Sequence, residues 1–345
     1  MSVTTTEPLG TELTAHEVLA SAGAMVEPAL RVSVDSLGEP LRRMAGYHLG
    51  WWDATGMPVP GESGKALRAA LAFSAAAACG GNRDDAVPAA AAVELLHNFS
   101  LVHDDVMDAD PLRCGRRTTW NVWGINNAIL LGDALQAQAV KMLSTRLPGH
   151  LIAEAITRLQ TATLELCRGQ YADCAFENQA RVGIDDYLSM VAAKVGSLMA
   201  CAGALGALCA GAHPRTVSAM EIYGRELGSA FKFVDDVIGI YGDPAFSDQC
   251  VGNDLRNRKK TLPVIAALES GTDAGVELAD LFESIEPLAP EQVARAAALV
   301  EQAGGLELTL RHVRERLAAA TAVLPVDADT RDLEQLARLV TVRDN

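Results

Sequence analysis

The chain has 345 residues and a mass of 36.4 kDa, and 49% of its residues are hydrophobic although only 5% are aromatic. This composition excludes a disordered or fibrous chain and predicts a core built mainly from Ala, Leu and Val. The chain has 29 Lys and Arg against 44 Asp and Glu, so its formal net charge of −15 argues against nonspecific binding to nucleic acid or to an anionic membrane surface.

The N-terminal residues are polar and rich in threonine. Residues 1–11 are therefore predicted to form a flexible tail before a single domain over residues 12–345. The first basic residue is Arg31, which leaves no positive start for a secretory signal peptide and predicts a cytoplasmic protein. Seven scattered cysteines include no CxxC pair, so we expect free thiols and neither a zinc site nor a disulfide framework.

Beyond the tail, helical periodicity dominates the chain. Segments rich in Ala and Leu are interrupted by Gly and Pro near residues 56–64, 80–81, 148–149, 211–214, 242–252, 287–290 and 304–305. Alternating β-branched runs bounded by hairpin turns are missing, so the predicted fold is all-α, with about ten helices. No internal repeat or polar linker divides the chain, which favours one domain.

Residues 195–212 carry no charge over 18 positions, a length near the lower limit for a membrane span. The stretch is rich in Gly and Ala and therefore only weakly hydrophobic, and no second candidate accompanies it. We expect a helix buried in the core and no membrane span.

The first acidic motif ends an apolar segment. On a helix, Asp104 and Asp108 fall on one face with Asp105 beside them. Such crowded carboxylates repel one another unless cations lie between them, and hard oxygen ligands suit Mg²⁺, which keeps several waters and bridges to substrate phosphates. This spacing predicts a magnesium site.

A second acidic pair, Asp235 and Asp236, lies in another apolar run, with Asp243 and Asp254 further on. An isolated pair of this kind is more often a solvated helix face. Two pairs, both in hydrophobic runs, favour a site in which two helices hold several Mg²⁺ ions between them.

Basic residues follow at matching places: Arg113 after the first motif, Lys194 at the start of the uncharged stretch, and Lys259 in the connection over residues 242–260. Metal ions with Arg and Lys can stabilise a leaving diphosphate. With an apolar cavity beneath, the expected substrate is an allylic isoprenoid diphosphate, whose carbocation must be shielded from water.

These residues resemble the trans-isoprenyl diphosphate synthases, the polyprenyl synthetase family, which elongate allylic diphosphates with isopentenyl diphosphate. Several motifs appear in the family's order: GKxxR at 64–68, ELxH through DDxxD at 94–108, GDAL at 132–135, GQxxD at 169–173 and the loop motif at 252–263. The segment after Asp236, with Gly239 in place of a third Asp, looks most like the actinobacterial geranylgeranyl-type branch.

The resemblance implies an isoprenoid synthase helical bundle around a central apolar cavity, and commonly a homodimer. It implies Mg²⁺ ligands at Asp104, Asp105, Asp108, Asp235 and Asp236. It implies that the allylic diphosphate is gripped by Arg113, Lys194 and Lys259, and isopentenyl diphosphate by Lys65, Arg68 and His97. Further candidate substrate-binding residues in or beside the motifs are Gln170, Asp173, Lys232 and Asp254.

The sequence departs from the family pattern mainly at the isopentenyl diphosphate site. The family's tandem Arg is here Arg113 followed by Cys114, and a thiol cannot replace a bidentate guanidinium. The loop's Gly-Lys is Asp248-Gln249, which removes a diphosphate-binding cation. Partial replacements are available at Lys232, which stands where the family has Gln, and at Arg116 or Arg117.

These departures leave alternatives to elongation. A class I terpene cyclase on the same scaffold would ionise the allylic diphosphate without condensation, and a noncatalytic partner subunit is a third possibility. A cyclase needs aromatic side chains to stabilise cations, and the candidates are Phe176, Phe231, Phe233 and Tyr241. Elongation is favoured. Phe99, a large residue five positions before Asp104, would then floor the cavity and limit the product to C15–C20.

Overall fold

The fold is described by a computed structural model over residues 13–59, 66–177, 179, 181–242, 252–283 and 287–342. The predicted tail over residues 1–11 lies outside the described residues, as do Lys65, Asp243, Asp248 and Gln249.

Helices occupy most of the described chain. The α-helices are α1 (Ala15–Asp35), α2 (Leu41–His48), α3 (Leu67–Ala78), α4 (Val87–Met107), α5 (Thr119–Trp123), α6 (Ile125–Arg146), α7 (Gly149–Glu177), α8 (Ile184–Val191), α9 (Ser197–Cys209), α10 (Pro214–Tyr241), α11 (Asn253–Arg256), α12 (Leu262–Glu269), α13 (Asp273–Phe282), α14 (Pro290–Gln302), α15 (Gly305–Ala322) and α16 (Arg331–Val342). A 3₁₀ turn spans Arg83–Ala86, and a π-helical turn, Ala192–Gly196, joins α8 to α9. Two strands, β1 (Leu112–Arg113) and β2 (Arg116–Arg117), form an antiparallel hairpin.

The predicted all-α fold is confirmed. The sequence predicts about ten helices, whereas the described residues form sixteen, because several predicted connections contain short helices such as α11. The hairpin differs from the prediction. Its strands have only two residues each, too few for an alternating pattern to show.

The central helix of the bundle is α9. Its residues from Ser197 to Leu208 are all buried, and α3, α4, α7 and α10 pack against it. At Gly206 the packing is close, since a Cβ there would lie 2.1 Å from the carbonyl oxygen of Ala72 on α3. Small residues therefore let neighbouring backbones approach where larger side chains would separate them.

The continuous helical segment Ile184–Cys209 is, within the part of the chain that the structure describes, the one helix long and apolar enough to cross a membrane. Of its most apolar window, 78% is buried inside the protein. The predicted core helix over residues 195–212 thus corresponds to α9.

A smaller hydrophobic cluster follows the C-terminal end of α10 and includes residues of α11 to α14. Helix α12 contributes to both clusters, with Leu262 and Ile265 in the large one and Val264 and Ala267 in the small one. This helix therefore fixes the later segment against α10, next to the second acidic pair.

Candidate active site

The two acidic motifs lie towards the C-terminal ends of two long helices. Asp104 and Asp105 are in the last turn of α4, with Asp108 as its C-cap, and Asp235 and Asp236 are near the end of α10. Asp105 and Asp236 are only 1% and 0% exposed, which excludes a solvated helix face for these two carboxylates.

Lys194 connects the first acidic motif to α7. Its Nζ lies 3.8 Å from Asp104 Oδ2 and 2.6 Å from Asp173 Oδ2. Burial raises the pKa of Asp104 to about 6; Lys194 opposes this rise, and Asp108 adds to it. Burial also acts on Asp173, but the attraction of Lys194 prevails and the pKa of this carboxyl is lowered. Asp104 is therefore a carboxylate whose charge is incompletely compensated.

The backbone explains where Lys194 lies. It belongs to the π-helical turn, which packs against α7 at Gly169, where a Cβ would lie 2.3 Å from the backbone nitrogen of Lys194. Asp173 comes four residues after Gly169, on the same face of α7. The glycine of the GQxxD motif thus lets the lysine backbone approach the helix whose aspartate binds its ammonium.

Asp105 orients Arg113. Its Oδ1 accepts a hydrogen bond from Arg113 Nε at 2.9 Å, and Arg113 Nη2 lies 2.7 Å from the same oxygen. The other oxygen, Oδ2, is buried without a hydrogen-bond partner. Asp105 therefore orients Arg113 through one oxygen, and its predicted role as a metal ligand stays a prediction.

Asp236 has three partners. Tyr187 donates its hydroxyl to Oδ2 at 2.6 Å, Lys232 Nζ lies 2.6 Å from Oδ1, and the backbone N–H of Leu262 donates to Oδ2 at 3.2 Å. Both oxygens have partners, so Asp236 joins α8, α10 and α12; its predicted role as a metal ligand stays a prediction. Burial opposes the charge of Lys232, but Asp236 prevails and raises the lysine pKa well above its ordinary value.

Lys232 forms an ion pair with Asp236, and its predicted substrate-binding role stays a prediction. Asp254, on α11, acts electrostatically on Lys232 and thus lies on the same side of this network. The lysine here balances a buried carboxylate.

A second charged cluster joins α3 and α4. Arg68 acts electrostatically on Glu94 and Asp235, and Glu94 Oε1 accepts a hydrogen bond from a backbone N–H of α3 at 3.0 Å. Burial, together with the charges of Arg68 and Arg113, lowers the pKa of His97 well below its ordinary value, so this imidazole is neutral. The structure therefore brings Arg68, His97 and Arg113 together; their predicted partner Lys65 is outside the described residues.

Lys259 and Gln170 lie near the charged cluster that Lys194 forms with Asp104 and Asp173. The lysine acts electrostatically on both Asp108 and Asp173, so it lies on the side of Lys194. Gln170, buried on α7, donates through Nε2 to Cys174 Sγ at 3.5 Å, and its Oε1 is buried without a partner. The predicted site residues on α7, in the π-helical turn and after α11 therefore lie together beside the first acidic motif.

Phe99 lies on α4 before the acidic motif and is buried. Its ring meets His103 edge to face, with ring centroids 4.8 Å apart. Gly132 of the GDAL motif leaves room for this histidine, since a Cβ there would lie 2.1 Å from His103 Nε2. The cavity-floor role of Phe99 stays a prediction.

Sequence reasoning missed two residues of the site. Tyr187, the hydroxyl donor to Asp236, belongs to no motif. His48 ends α2 with Nε2 buried and unpartnered, and burial, with a smaller effect of Arg113, lowers its pKa to about 4. Neither residue has a spacing signal, because each reaches the site only through the packing of helices distant in sequence.

The carboxylates of the first acidic motif are suited to a hard cation, although they do not form a complete set of metal ligands. No group of three or more His, Cys, Asp or Glu side chains stands ready to hold a metal ion among the residues that the structure describes. Burial nevertheless raises the pKa values of both Asp104 and Asp108, and Asp105 Oδ2 is an orphaned buried oxygen. Carboxylates whose negative charge is disfavoured by burial fit Mg²⁺, which takes one or two carboxylates and completes its coordination shell with water and phosphate oxygens.

Comparison with known proteins identifies the family of this chain. The sequence model named polyprenyl synthetase matches residues 56–300. The chain belongs to the polyprenyl synthetase family. It is 50% identical over 327 residues to geranylgeranyl diphosphate synthase of Mycobacterium tuberculosis, covering 95% of this chain and 93% of that protein.

Solved structures of polyprenyl synthetases share the fold. The structure of a Streptomyces coelicolor polyprenyl synthetase is 40% identical with a TM-score of 0.89, covering 94% of this chain and 98% of that one. A Corynebacterium glutamicum geranylgeranyl pyrophosphate synthase, complexed with calcium and isoprenyl diphosphate, is 29% identical with a TM-score of 0.74, covering 94% and 95%. The family predicted from the motifs is therefore confirmed, and this polyprenyl synthetase is a prenyltransferase.

Proposed function

We propose that this polyprenyl synthetase condenses an allylic isoprenoid diphosphate with isopentenyl diphosphate to give a C15–C20 prenyl diphosphate. The observation that carries the proposal is the convergence of Asp104, Asp173 and Lys194, next to a second cationic cluster around Arg68 and His97. Two adjacent anion-binding regions are what a reaction between two diphosphates requires. The geranylgeranyl diphosphate synthase at 50% identity supports the same substrate class.

The allylic diphosphate lies, in this proposal, over the first acidic motif. Asp104, Asp108 and Asp235 would hold Mg²⁺, which when bound offsets the charge of the departing diphosphate. The Corynebacterium glutamicum structure, which is complexed with calcium and isoprenyl diphosphate, supports a divalent cation as part of the proposal. Lys194 and Lys259 offer ammonium groups to the same diphosphate.

Arg113 adds a directed contact to the allylic diphosphate. Asp105 holds its guanidinium through Oδ1, so the arginine is oriented before substrate arrives. A donor fixed in advance stabilises developing charge without reorganising during the reaction. Burial of the surrounding α4 residues excludes water from the carbocation.

Isopentenyl diphosphate lies, in this proposal, at Arg68 and His97, with Lys65 added by resemblance. The neutral His97 can donate one hydrogen bond to a phosphate oxygen without adding charge. Phe99 closes the cavity below the allylic tail and sets the C15–C20 limit.

We also propose a homodimer, formed through α6 and α7. These two helices pack together and expose large apolar side chains, which are Ile125, Ile129, Leu130, Leu164 and Tyr171. A cavity of about 490 Å³ opens at the start of α6. Large apolar side chains exposed on two neighbouring helices are typical of a protein interface, and light scattering would measure the mass of the assembly. We also propose a cytoplasmic location, in keeping with the polyprenyl synthetase family.

Product analysis tests the reaction. Purified protein with Mg²⁺ is incubated with geranyl, farnesyl or geranylgeranyl diphosphate, each with and without isopentenyl diphosphate. Longer diphosphates formed only with isopentenyl diphosphate are expected. If hydrocarbons or alcohols form above the enzyme-free control without isopentenyl diphosphate, the elongation proposal is wrong and the protein is a terpene cyclase.

A further inference from the structure

The hairpin between α4 and α5 determines which arginines share a face. Arg113 pairs with Arg116 across the two strands, and Leu112 pairs with Arg117. Cross-strand partners place their side chains on the same face of a hairpin, so Arg116 lies beside Arg113 and Arg117 lies on the opposite face. Cys114 is exposed at the turn, in a left-handed conformation with φ of 48°, and is followed by Gly115.

Arg116 is held in place. Its Nη2 donates to the carbonyl oxygen of Trp52 at 3.0 Å, and its guanidinium carbon lies 4.5 Å from the centroid of the Tyr47 ring. Tyr47 in turn donates its hydroxyl to the carbonyl oxygen of Arg117 at 2.7 Å. These contacts fix the hairpin against α2 and leave Arg116 with limited freedom, which favours binding through preorganisation.

Polar side chains near Arg116 retain buried atoms without hydrogen-bond partners. His48 follows Tyr47 on α2, and the charges of Arg113 and Arg116 add to burial in lowering its pKa. His48 Nε2 and Arg68 Nε are both buried without a hydrogen-bond partner. His97 is influenced by Arg68, Arg113 and His48, so these side chains form one cluster. A buried guanidinium N–H and a buried imidazole nitrogen without partners, gathered near further guanidinium groups, fit a site that receives an anion.

We propose that Arg116, together with His48, binds the diphosphate of isopentenyl diphosphate and supplies the contact that Cys114 cannot make. The inference rests on the proposed function for the identity of the anion. Arg116 reaches the cluster from the second strand of the hairpin. An arginine at position 114 would reach it from the turn.

Arg117 provides a matched control. Its Nη2 donates to Asn121 Oδ1 at 3.0 Å on the other face of the hairpin. Replacing this arginine removes the same charge from the same strand without touching the cluster.

Calorimetric binding of isopentenyl diphosphate alone tests the inference, because this ligand does not react without an allylic partner. Arg116→Gln should raise its Kd roughly ten- to a hundredfold, the usual effect of losing one charge-assisted hydrogen bond to an anion. Arg117→Gln should change the Kd less than about twofold. Arg116→Lys should retain part of the affinity, and His48→Gln should weaken binding while thermal unfolding reports on its fold.

Two readouts separate binding from a structural role of the hairpin. Adding Cys114→Arg to the Arg116→Gln variant should restore affinity, and the KM for the allylic diphosphate should stay within about twofold throughout. Equal weakening by Arg116→Gln and Arg117→Gln, or no rescue by the new arginine, would overturn the inference.

The outcomes also distinguish the inference from the proposed function. If the wild type elongates and Arg116→Gln binds isopentenyl diphosphate normally, the inference fails while elongation stands. If the wild type binds isopentenyl diphosphate through Arg116 without elongating the allylic substrate, elongation fails and the site stands. A wild type that does not bind isopentenyl diphosphate overturns both.

Discussion

Replacing Asp104 with Asn should stabilise the substrate-free protein while removing its catalytic activity. The carboxylate is buried in the last turn of α4 near Asp108 and Asp173, and Lys194 at 3.8 Å compensates its charge only in part. The amide keeps the shape of the side chain and loses the charge. A residue that destabilises the free fold and serves the reaction is a common stability cost of an active site.

The size of the gain follows from the pKa. The pKa of Asp104 rises from 3.8 to about 6, and a tenfold change in an ionisation constant corresponds to about 1.4 kcal/mol. Ionised Asp104 therefore destabilises the fold by ~2–3 kcal/mol at pH 7 and above. Because the folded-state pKa is the higher one, this destabilisation is complete above about pH 6 and disappears as the pH falls towards 4.

Urea unfolding at several pH values measures the effect. Asp104→Asn should unfold at higher urea than the wild type at pH 7.5, with the difference shrinking through the window from pH 6 to 4. Asp280→Asn, an exposed carboxylate on α13, serves as the control and should leave the midpoint unchanged. An Asp104→Asn protein that is less stable at pH 7.5, or a gain independent of pH, would refute the electrostatic reasoning.

Three further predictions concern a buried ion pair, helix packing and product length. Lys232→Met should destabilise the fold by about 3–5 kcal/mol in urea unfolding, because it leaves the fully buried Asp236 without its ion pair; adding Asp236→Asn should recover much of the loss. Gly206→Ala should lower stability by about 1–3 kcal/mol because its Cβ would overlap a carbonyl oxygen of α3, whereas Gly149→Ala, with open space around the new Cβ, should not; equal midpoints for the two would contradict this packing argument. Phe99→Ala should lengthen the prenyl product by one or more C5 units in chromatography, and an unchanged product would remove this residue from the cavity floor.

The fold could be predicted where the composition and the helical periodicity of the sequence indicate it. Uniform Ala- and Leu-rich segments predict an all-α bundle, and the uncharged run over 195–212 predicts the central helix α9. The short hairpin after α4 was not predictable. Its turn rests on two consecutive residues with positive φ, Cys114 and Gly115, and only the glycine favours that conformation from sequence.

The candidate site was predictable as a set of residues and less so in their individual roles. Spacing on α4 indicates that Asp104 and Asp108 share a face, and the structure brings them near Lys194. Sequence treats the two aspartates of the second pair alike, yet Asp236 points into the protein towards Tyr187. Adjacent residues on a helix differ in direction by about 100°, so which one faces a neighbouring helix depends on packing that no local pattern records.

The π-helical turn that carries Lys194 has a consequence for the whole helical segment Ile184–Cys209. A π turn holds one residue more than an α turn, so the faces of α8 and α9 are out of phase by about 100°. Tyr187 can thus face Asp236 on α10 while the residues of α9 keep their own rotational setting inside the core. The extra residue therefore rotates the segment that carries Tyr187 relative to the segment that packs in the core, so a turn of different length would disrupt one of these two sets of contacts.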